Sequence, residues 1–492
     1  MHPSCRLRST TRGRARRAIA LAAARVASHA SRATSRRATA LPGYVAERID
    51  PGILAELGSR HRPVVLVIGT NGKTTTTRLL ATILERASGR RPVSNRSGAN
   101  LSQGIVTALI DAPGGSAEPR PAVLEVDELA FPHVAAALRP EVVVILNLVR
   151  DQLDRYGEVD SVERRWIETL KTAPSAATIV ACADDPRLES VVSESGPVVR
   201  WFGLGADPRV PSPFGDAAEQ APSPAAAMVP CPRCGGPTDV DDVSASGGAW
   251  RCATCGHQRP APELAVRITG DDGRWLRLAF ELEPAHASAS AGQDGDHDHE
   301  LGTTHVRLSG TAGAHDAAAA ALAAIALGLD PRLVIESMGG ATPAFGRLEE
   351  VRVGGRTIVL SLAKNPSSVA HAAEAAAARR PDWVLVGLGD RAADGRDVSW
   401  IWDARLDSLL RVAPLTLTGR RADDLALRFK YADVTEPPSR RPIVDGSIER
   451  ALLDSLGHVR PGGTLMVLAT YTTLLGIRRV LERRGFAPAM PR

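Results

Sequence analysis

Lysine is nearly missing from this chain. Among 60 basic side chains only four are lysines: Lys73, Lys171, Lys364 and Lys430. Arginine is the default cation. A position that keeps lysine is therefore one where a planar fork does not replace a compact, rotatable ammonium. Long apolar runs are also lacking. No stretch approaches the ~20 residues a membrane-spanning helix needs, which excludes a helical span. Acid is absent from residues 1–40, which hold ten arginines. Without that head the chain carries 50 basic and 55 acidic side chains, so its body is not a general nucleic-acid binder. The head lacks the apolar core of a secretory signal. Being Arg- and Ser-rich, it has the composition of a transit peptide. Its segment Ala15–Val26, with Ile19, Leu21 and Val26 between arginines, also suits a docked helix or an anionic membrane surface.

Cysteine is sparse, and four of the six fall in one pattern. Cys231-Pro-Arg-Cys234 and Cys252-Ala-Thr-Cys255 are two CxxC pairs 17 residues apart, each followed by glycine (Gly235, Gly256). The pattern is that of a Zn²⁺ ribbon with four thiolates and no open position, hence a structural site. Cys5 and Cys182 have no partner pattern. Neither sits on the Gly-flanked elbow of a nucleophilic cysteine.

Residues 69–76 read Gly-Thr-Asn-Gly-Lys-Thr-Thr-Thr, directly after Val64-Val65-Leu66-Val67-Ile68. A buried strand running through a glycine turn into a helix is the geometry that cradles a nucleotide's phosphates. We assign Gly69, Thr70, Asn71, Gly72, Lys73, Thr74 and Thr75 to ATP, with Lys73 toward the β/γ-phosphates and the Thr74 hydroxyl toward Mg²⁺. The commoner GxxxxGK[ST] form would need a glycine at Val67, so this is a tighter GTNGKT variant.

Apolar runs at 64–68, 122–126, 142–146, 178–181 and 198–201 alternate with helical stretches, which predicts a largely parallel α/β sheet. Residues 206–230, rich in Pro, Ala and Ser, read as a linker into the zinc module. Strands at 264–268 and 275–281 and an Ala-rich helix at 313–328 follow. The stretch 284–304 is low complexity and reads as a loop, its His297 and His299 at a solvated tip. A second α/β unit is expected from about 350, with strands at 357–363, 383–387 and 465–469 and a helix at 367–379.

In order, GTNGKTTT (69–76), LEVDE (124–128), NLVRDQLDRYGE (147–158) and FGR (345–347) resemble the Mur ligases, which use ATP to join an amine to a carboxylate through an acyl phosphate. The ribbon, LAKNP (362–366), ADGRDVSWIWD (393–403) and TYTTLL (470–475) narrow the resemblance to the ligase-like subunits of bacterial lipid II isoglutaminyl synthases. The resemblance implies four segments. These are a basic lead-in (1–60), an ATP-binding central domain (61–345), a zinc ribbon inserted in it (225–262), and a Rossmann-like C-terminal domain (346–492) that binds a glutaminase. It implies that Glu125 helps hold Mg²⁺, with Asn147 and Asp151 completing that shell. Asp127, Glu128 and Asp154 crowd the same edge.

The chain departs from the family in reading Asp151-Gln152-Leu153-Asp154 where DHLD is usual. It has Ala314-His315-Asp316 where an adenine-contacting Asn is usual. No lysine is a convincing candidate for the carbamoylated lysine of some relatives, which fits ammonia as the amine. The implied activity is amidation of the α-carboxyl of D-glutamate in the lipid II stem peptide. Ammonia would come from a separate glutaminase subunit, in the cytoplasm, with the head toward the membrane. Asp397 is the expected acid completing the partner's Cys–His–Asp triad, with Asp394 second. The alternatives are a folylpolyglutamate- or cyanophycin-type amino-acid ligase, or a zinc-ribbon scaffold that binds ATP without turnover.

Overall fold

The computed structural model describes residues 11–33, 40–95, 99–112, 119–149, 159–205, 230–241, 249–283, 300–341, 346–432 and 441–488. Two sheets organise them. The first has eight strands: β1 (His61–Ile68), β2 (Arg120–Glu125), β3 (Val142–Ile145), β4 (Thr178–Cys182), β5 (Val198–Leu204), β8 (Leu264–Asp271), β9 (Leu276–Leu282) and β10 (Glu300–Val306). Their order is β10-β9-β8-β5-β4-β3-β1-β2, parallel from β2 to β8 and antiparallel beyond. Between β5 and β8 the chain makes a small ribbon of β6 (Thr238–Asp241) and β7 (Ala249–Cys252). The second sheet contains β11 (Arg347–Val353), β12 (Arg356–Leu362), β13 (Trp383–Gly387), β14 (Leu415–Thr418), β15 (Ile443–Val444) and β16 (Thr464–Ala469), in the order β11-β12-β16-β13-β14-β15.

The central strands are continuous apolar runs because helices cover both faces of a parallel sheet. Val64 to Ile68 are fully buried. The Ala-rich helix Gly310–Ala326 has no amphipathic stripe: Gly313 through Ala324 are all buried. Its methyl-sized side chains let it lie close to the sheet and to the helix Lys73–Ser88. Its start is fixed by Asp271, whose Oδ2 accepts from Gly310 N at 2.7 Å and Ser309 Oγ at 2.9 Å.

The basic head forms the helix Thr11–Ala33, longer than the segment read from sequence, followed by Leu41–Ile49 and Ile53–Gly58. Ala24, Ala46, Ile53 and Leu57 enter the same core as the first sheet. The opposite side of the first helix exposes Ile19 and Val26, 59% and 69% accessible, with Arg14, Arg16 and Arg25 also exposed. The strands read from sequence all form. β6, β7, β10, β11, β14 and β15 are not among the strands read from sequence, and β10 takes up the end of the stretch read as a loop at 284–304. The rest of that loop, with His297 and His299, and nearly all of the 206–230 linker lie outside the described residues.

Candidate active site

Gly69 and Gly72 have φ of 138° and 88°. A Cβ on Gly69 would lie 2.9 Å from Leu146 Cβ, and one on Gly72 2.1 Å from Asp316 Oδ1. Conformation and space both demand glycine here. Asn147 follows β3 and braces the loop. Its Oδ1 accepts from Asn71 N at 2.9 Å, its Nδ2 donates to Asn71 O at 3.2 Å, and its carbonyl accepts from Thr70 N at 3.1 Å. Thr70 Oγ1 donates to Val149 O at 3.1 Å. The side chain expected near Mg²⁺ also holds the glycine loop. Asp151, with Gln152 and Asp154, lies outside the described residues.

Lys73 opens the helix Lys73–Ser88, yet its side chain folds back. Nζ donates to Glu128 Oε1 at 2.6 Å, to Thr70 O at 3.3 Å and to Gly69 O. Both partners of the ion pair are buried, with side chains 8% and 6% exposed. Thr74 Oγ1 donates to Glu125 Oε2 at 2.8 Å. Register places that carboxylate, because Val67 of β1 pairs with Glu125 of β2. Asn95 then clamps the Glu125 backbone, accepting from its N at 2.9 Å and donating to its O at 2.7 Å. A hydroxyl and a carboxylate side by side at the loop are the hard oxygen donors that suit Mg²⁺. Asp127 is buried and accepts from Leu129 N at 3.1 Å, turning the chain after β2.

A cleft separates this loop and the helix Gly310–Ala326 from the second sheet. It is lined by Asn71, Gly72, Thr75, Cys182, His315, Asp316, Arg347, Ser361 and His371. Asn71 and Asn365 face each other across it, with Nδ2–Oδ1 distances of 3.4 and 3.3 Å. Asn365 also caps the helix Pro366–Arg379 through a reciprocal pair with Ser368. Burial pulls His371 down to about 3, so its ring is neutral.

Asp316 accepts from Thr76 Oγ1 at 3.2 Å, and burial pushes its carboxyl up to about 7 despite nearby Arg347. The folded protein holds this proton more tightly than the unfolded chain. That contribution to stability is complete below about pH 4 and is lost as pH rises through about 7. Asp316→Asn should therefore be more stable than wild type at pH 8, by about 2 °C or more in Tm, with the difference shrinking as pH falls and vanishing below about pH 4. Melting curves across that range check this, and equal Tm profiles for the two proteins would refute it.

The four cysteines converge. Cys231 Sγ lies 3.7 Å from Cys255 Sγ and Cys234 Sγ 3.5 Å from Cys252 Sγ. All four sulfurs fall within 4.8 Å of one another. These spacings fit the edges of a tetrahedron with metal–sulfur bonds of about 2.3 Å, so the residues suit Zn²⁺. Gly235 and Gly256 turn at φ of 72° and 71°, as their places after each pair require. Backbone N–H groups of Arg233, Gly236 and Cys255 each point at a sulfur at 3.4 Å. The Cys255 N–H is the first cause holding Cys252 down to about 6.

In the second sheet the two aspartates after β13 part company. Asp394 is 2% exposed, and its Oδ1 accepts from Thr472 N at 2.7 Å while Thr472 Oγ1 donates to Oδ2. It anchors the helix Tyr471–Arg483. Asp397 is exposed, and its Oδ1 accepts from Ser399 N at 2.8 Å, capping the turn Ser399–Trp402. It lines a surface depression with Trp402. Trp402 is 49% exposed and lies 6.4 Å from the ring of Tyr431, itself 65% exposed, and Leu427 is exposed on the helix Ala422–Lys430 that ends just before Tyr431. Lys430 lies 5.8 Å from the same Tyr431 ring, and Lys171 pairs with Glu194 on the surface, so neither enters the cleft.

Sequence reading did not find one cluster. Cys182, seen as a strand-end residue without a partner, is buried beside Asp184 and His315. His315 Nε2 lies 2.6 Å from Asp184 Oδ2, across 131 residues of chain. Burial alone would lower the imidazole, but Cys182 and Asp184 outweigh it and hold His315 well above its ordinary value. No local motif signals this pairing.

The sheet order and the strand–glycine–helix loop define a Mur ligase-type fold. Residues 67–210 match the Mur ligase middle domain. A pseudomurein peptide ligase type C from Methanothermus fervidus superposes with a TM-score of 0.62 at 20% identity, over 86% of this chain and 79% of its own. Residues 362–474 match the MurT ligase C-terminal family. The chain is 30% identical to the lipid II isoglutaminyl synthase (glutamine-hydrolyzing) subunit MurT of Streptococcus pneumoniae (strain ATCC BAA-255 / R6), over 91% of this chain and 93% of that protein. It is 29% identical to the corresponding subunit of Staphylococcus aureus (strain COL), over 94% and 96%. The chain belongs to the MurT family.

Proposed function

We propose that this chain is the ATP-dependent synthetase subunit of a lipid II isoglutaminyl synthase. The observation that carries the reading is the phosphate loop with Lys73, Thr74 and Glu125 at one end of a cleft closed by the family's C-terminal unit. In the reaction, an oxygen of the stem-peptide D-glutamate α-carboxylate bonds to the γ-phosphorus of ATP as ADP leaves. Ammonia then bonds to the acyl carbon, phosphate leaves with its bonding electrons, and the nitrogen loses a proton to give the carboxamide. Loop N–H groups and the start of the helix Lys73–Ser88 hold the phosphates. Lys73 exchanges Glu128 for the γ-phosphate and neutralises charge that grows as the phosphoryl group moves. Thr74 and Glu125 would hold Mg²⁺, which when bound screens the crowded phosphate oxygens.

Among the described residues no cysteine has the setting of a glutaminase nucleophile: Cys182 is buried and the other four form the ribbon. Ammonia therefore comes from a glutaminase partner. Exposed Trp402, Tyr431 and Leu427 beside Asp397 form the kind of apolar patch that partners cover. Asp397 then orients the partner's catalytic histidine. The exposed Ile19 and Val26, flanked by arginines, support contact of the first helix with an anionic membrane carrying the lipid-linked substrate. No helix among the described residues is long and apolar enough to cross a membrane.

The test is the purified pair of subunits with ATP, glutamine and lipid II in anionic or zwitterionic vesicles. ADP release and mass spectrometry should show a carboxyl replaced by a carboxamide, faster on anionic vesicles. ATP-dependent addition of an amino acid, or no product with either ammonia source, would overturn the reading. Equal rates on both vesicles would remove the membrane contact alone.

A further inference from the structure

The ribbon is fastened to the first sheet beside the cleft. Trp250 of β7 is 2% exposed, and its Nε1 donates to Ala183 O at 3.0 Å. Arg259, just beyond β7, takes its position from Trp250 as well, because its N–H donates to Trp250 O at 2.9 Å. Its guanidinium spans two groups of the sheet. Nη2 donates to Leu204 O at 2.7 Å and lies 2.5 Å from Asp184 Oδ1. Asp184 is fully buried. Its Oδ2 accepts from Leu204 N at 2.8 Å and meets His315 Nε2 at 2.6 Å. There is no slack in this chain of contacts: a Cβ on Gly203 would lie 2.3 Å from Arg259 Nη2 and 2.6 Å from Asp184 Oδ1.

His315 ends the relay at the wall of the cleft. It is 6% exposed, Cys182 lies beside its ring, and among the described residues its buried Nδ1 has no hydrogen-bond partner. A buried ring nitrogen costs free energy unless something meets it. The phosphate loop occupies one part of the cleft, and His315 stands one residue before Asp316, which packs against Gly72. A nucleotide seated on the loop would extend its ribose and base along this wall.

We infer that Arg259 is a positioning residue for nucleotide binding: through Asp184 it fixes the His315 ring, whose Nδ1 meets a polar group on the ribose–base end of the nucleotide. The zinc ribbon thereby acts as a buttress of the nucleotide cleft. Its integrity sets the place of Arg259, and Arg259 sets the ring. Lysine cannot substitute fully, because a point charge does not reach Leu204 O and Asp184 together in a fixed fork.

The inference rests on the cleft being a nucleotide site, and the experiment separates the two. Binding of MgADP and of inorganic tripolyphosphate is measured by calorimetry on the full chain, with zinc content by elemental analysis. Wild type should bind both; failure to bind MgADP would sink the nucleotide reading itself. Arg259→Ala should keep its zinc and weaken MgADP about tenfold, the equivalent of one lost hydrogen bond. Tripolyphosphate, which has no ribose or base, should bind both proteins equally. Asp184→Asn should show the same selective loss, and Arg259→Lys a smaller one. Unchanged MgADP affinity in zinc-replete Arg259→Ala overturns the inference. So does a parallel loss of MgADP and tripolyphosphate, which marks general damage. If Arg259→Ala loses zinc or does not fold, Arg259→Lys decides by the same pair of measurements.

Discussion

Lys73→Ala should abolish ATP-dependent amidation, lowering kcat by at least about 10²–10³-fold, the scale of losing one group that stabilises transition-state charge. The structure adds a second consequence. Glu128 would lose the cation that sits 2.6 Å away, with its own side chain only 6% exposed. Breaking a buried pair from one side costs about 3–5 kcal/mol, so the single variant should also melt earlier. Lys73→Ala combined with Glu128→Gln removes that unpaired charge. The double variant should recover most of the lost stability and none of the activity. Turnover near wild type in the folded double variant would rule out Lys73 as the γ-phosphate ligand.

Asp397→Asn should strongly reduce glutamine-dependent amidation, by about 10²-fold or more, while leaving turnover with concentrated ammonium close to wild type. The amide keeps the shape and still accepts from Ser399 N, but it cannot stabilise an imidazolium on the partner. Because Asp397 is exposed on the second sheet's rim, its loss should spare the acyl-phosphate chemistry. Asp394→Asn should behave differently. Its carboxylate is buried and spent on Thr472, so that change should lower Tm and depress both activities together. Loss of ammonium-dependent turnover in a stable Asp397→Asn protein would move Asp397 out of the partner's triad. Equal effects of the two substitutions on the ratio of glutamine to ammonium rates would do the same.

The strand from Val64 to Ile68, the glycines at 69 and 72 and the helix from Lys73 are neighbours in sequence, so apolar patterning and backbone freedom reveal them together. The four-cysteine cluster is equally local: each CxxC pair closes its own turn, and β6–β7 pairing of Thr238 with Cys252 brings the halves together. The rarity of lysine pointed to Lys73 before any geometry was known. The same signal points equally to Lys430, which is a surface residue beside Tyr431.

What the sequence by itself determined is the set of local devices and their order: the phosphate loop, the ribbon, two parallel α/β units and the motifs of the Mur ligase family. The tertiary structure alone decided which polar groups meet. Asn147 braces the loop, Glu128 pairs with Lys73, Asp394 is an anchor while Asp397 faces outward, and Arg259, Asp184 and His315 form one line. The reason is physical. Helix and turn signals act over a few residues through backbone dihedrals and nearby hydrogen bonds, and they leave a mark on periodicity. Contacts such as Asp184 with His315 depend on strand order, register and helix placement, which depend on the burial of the whole core and leave no local trace in the chain.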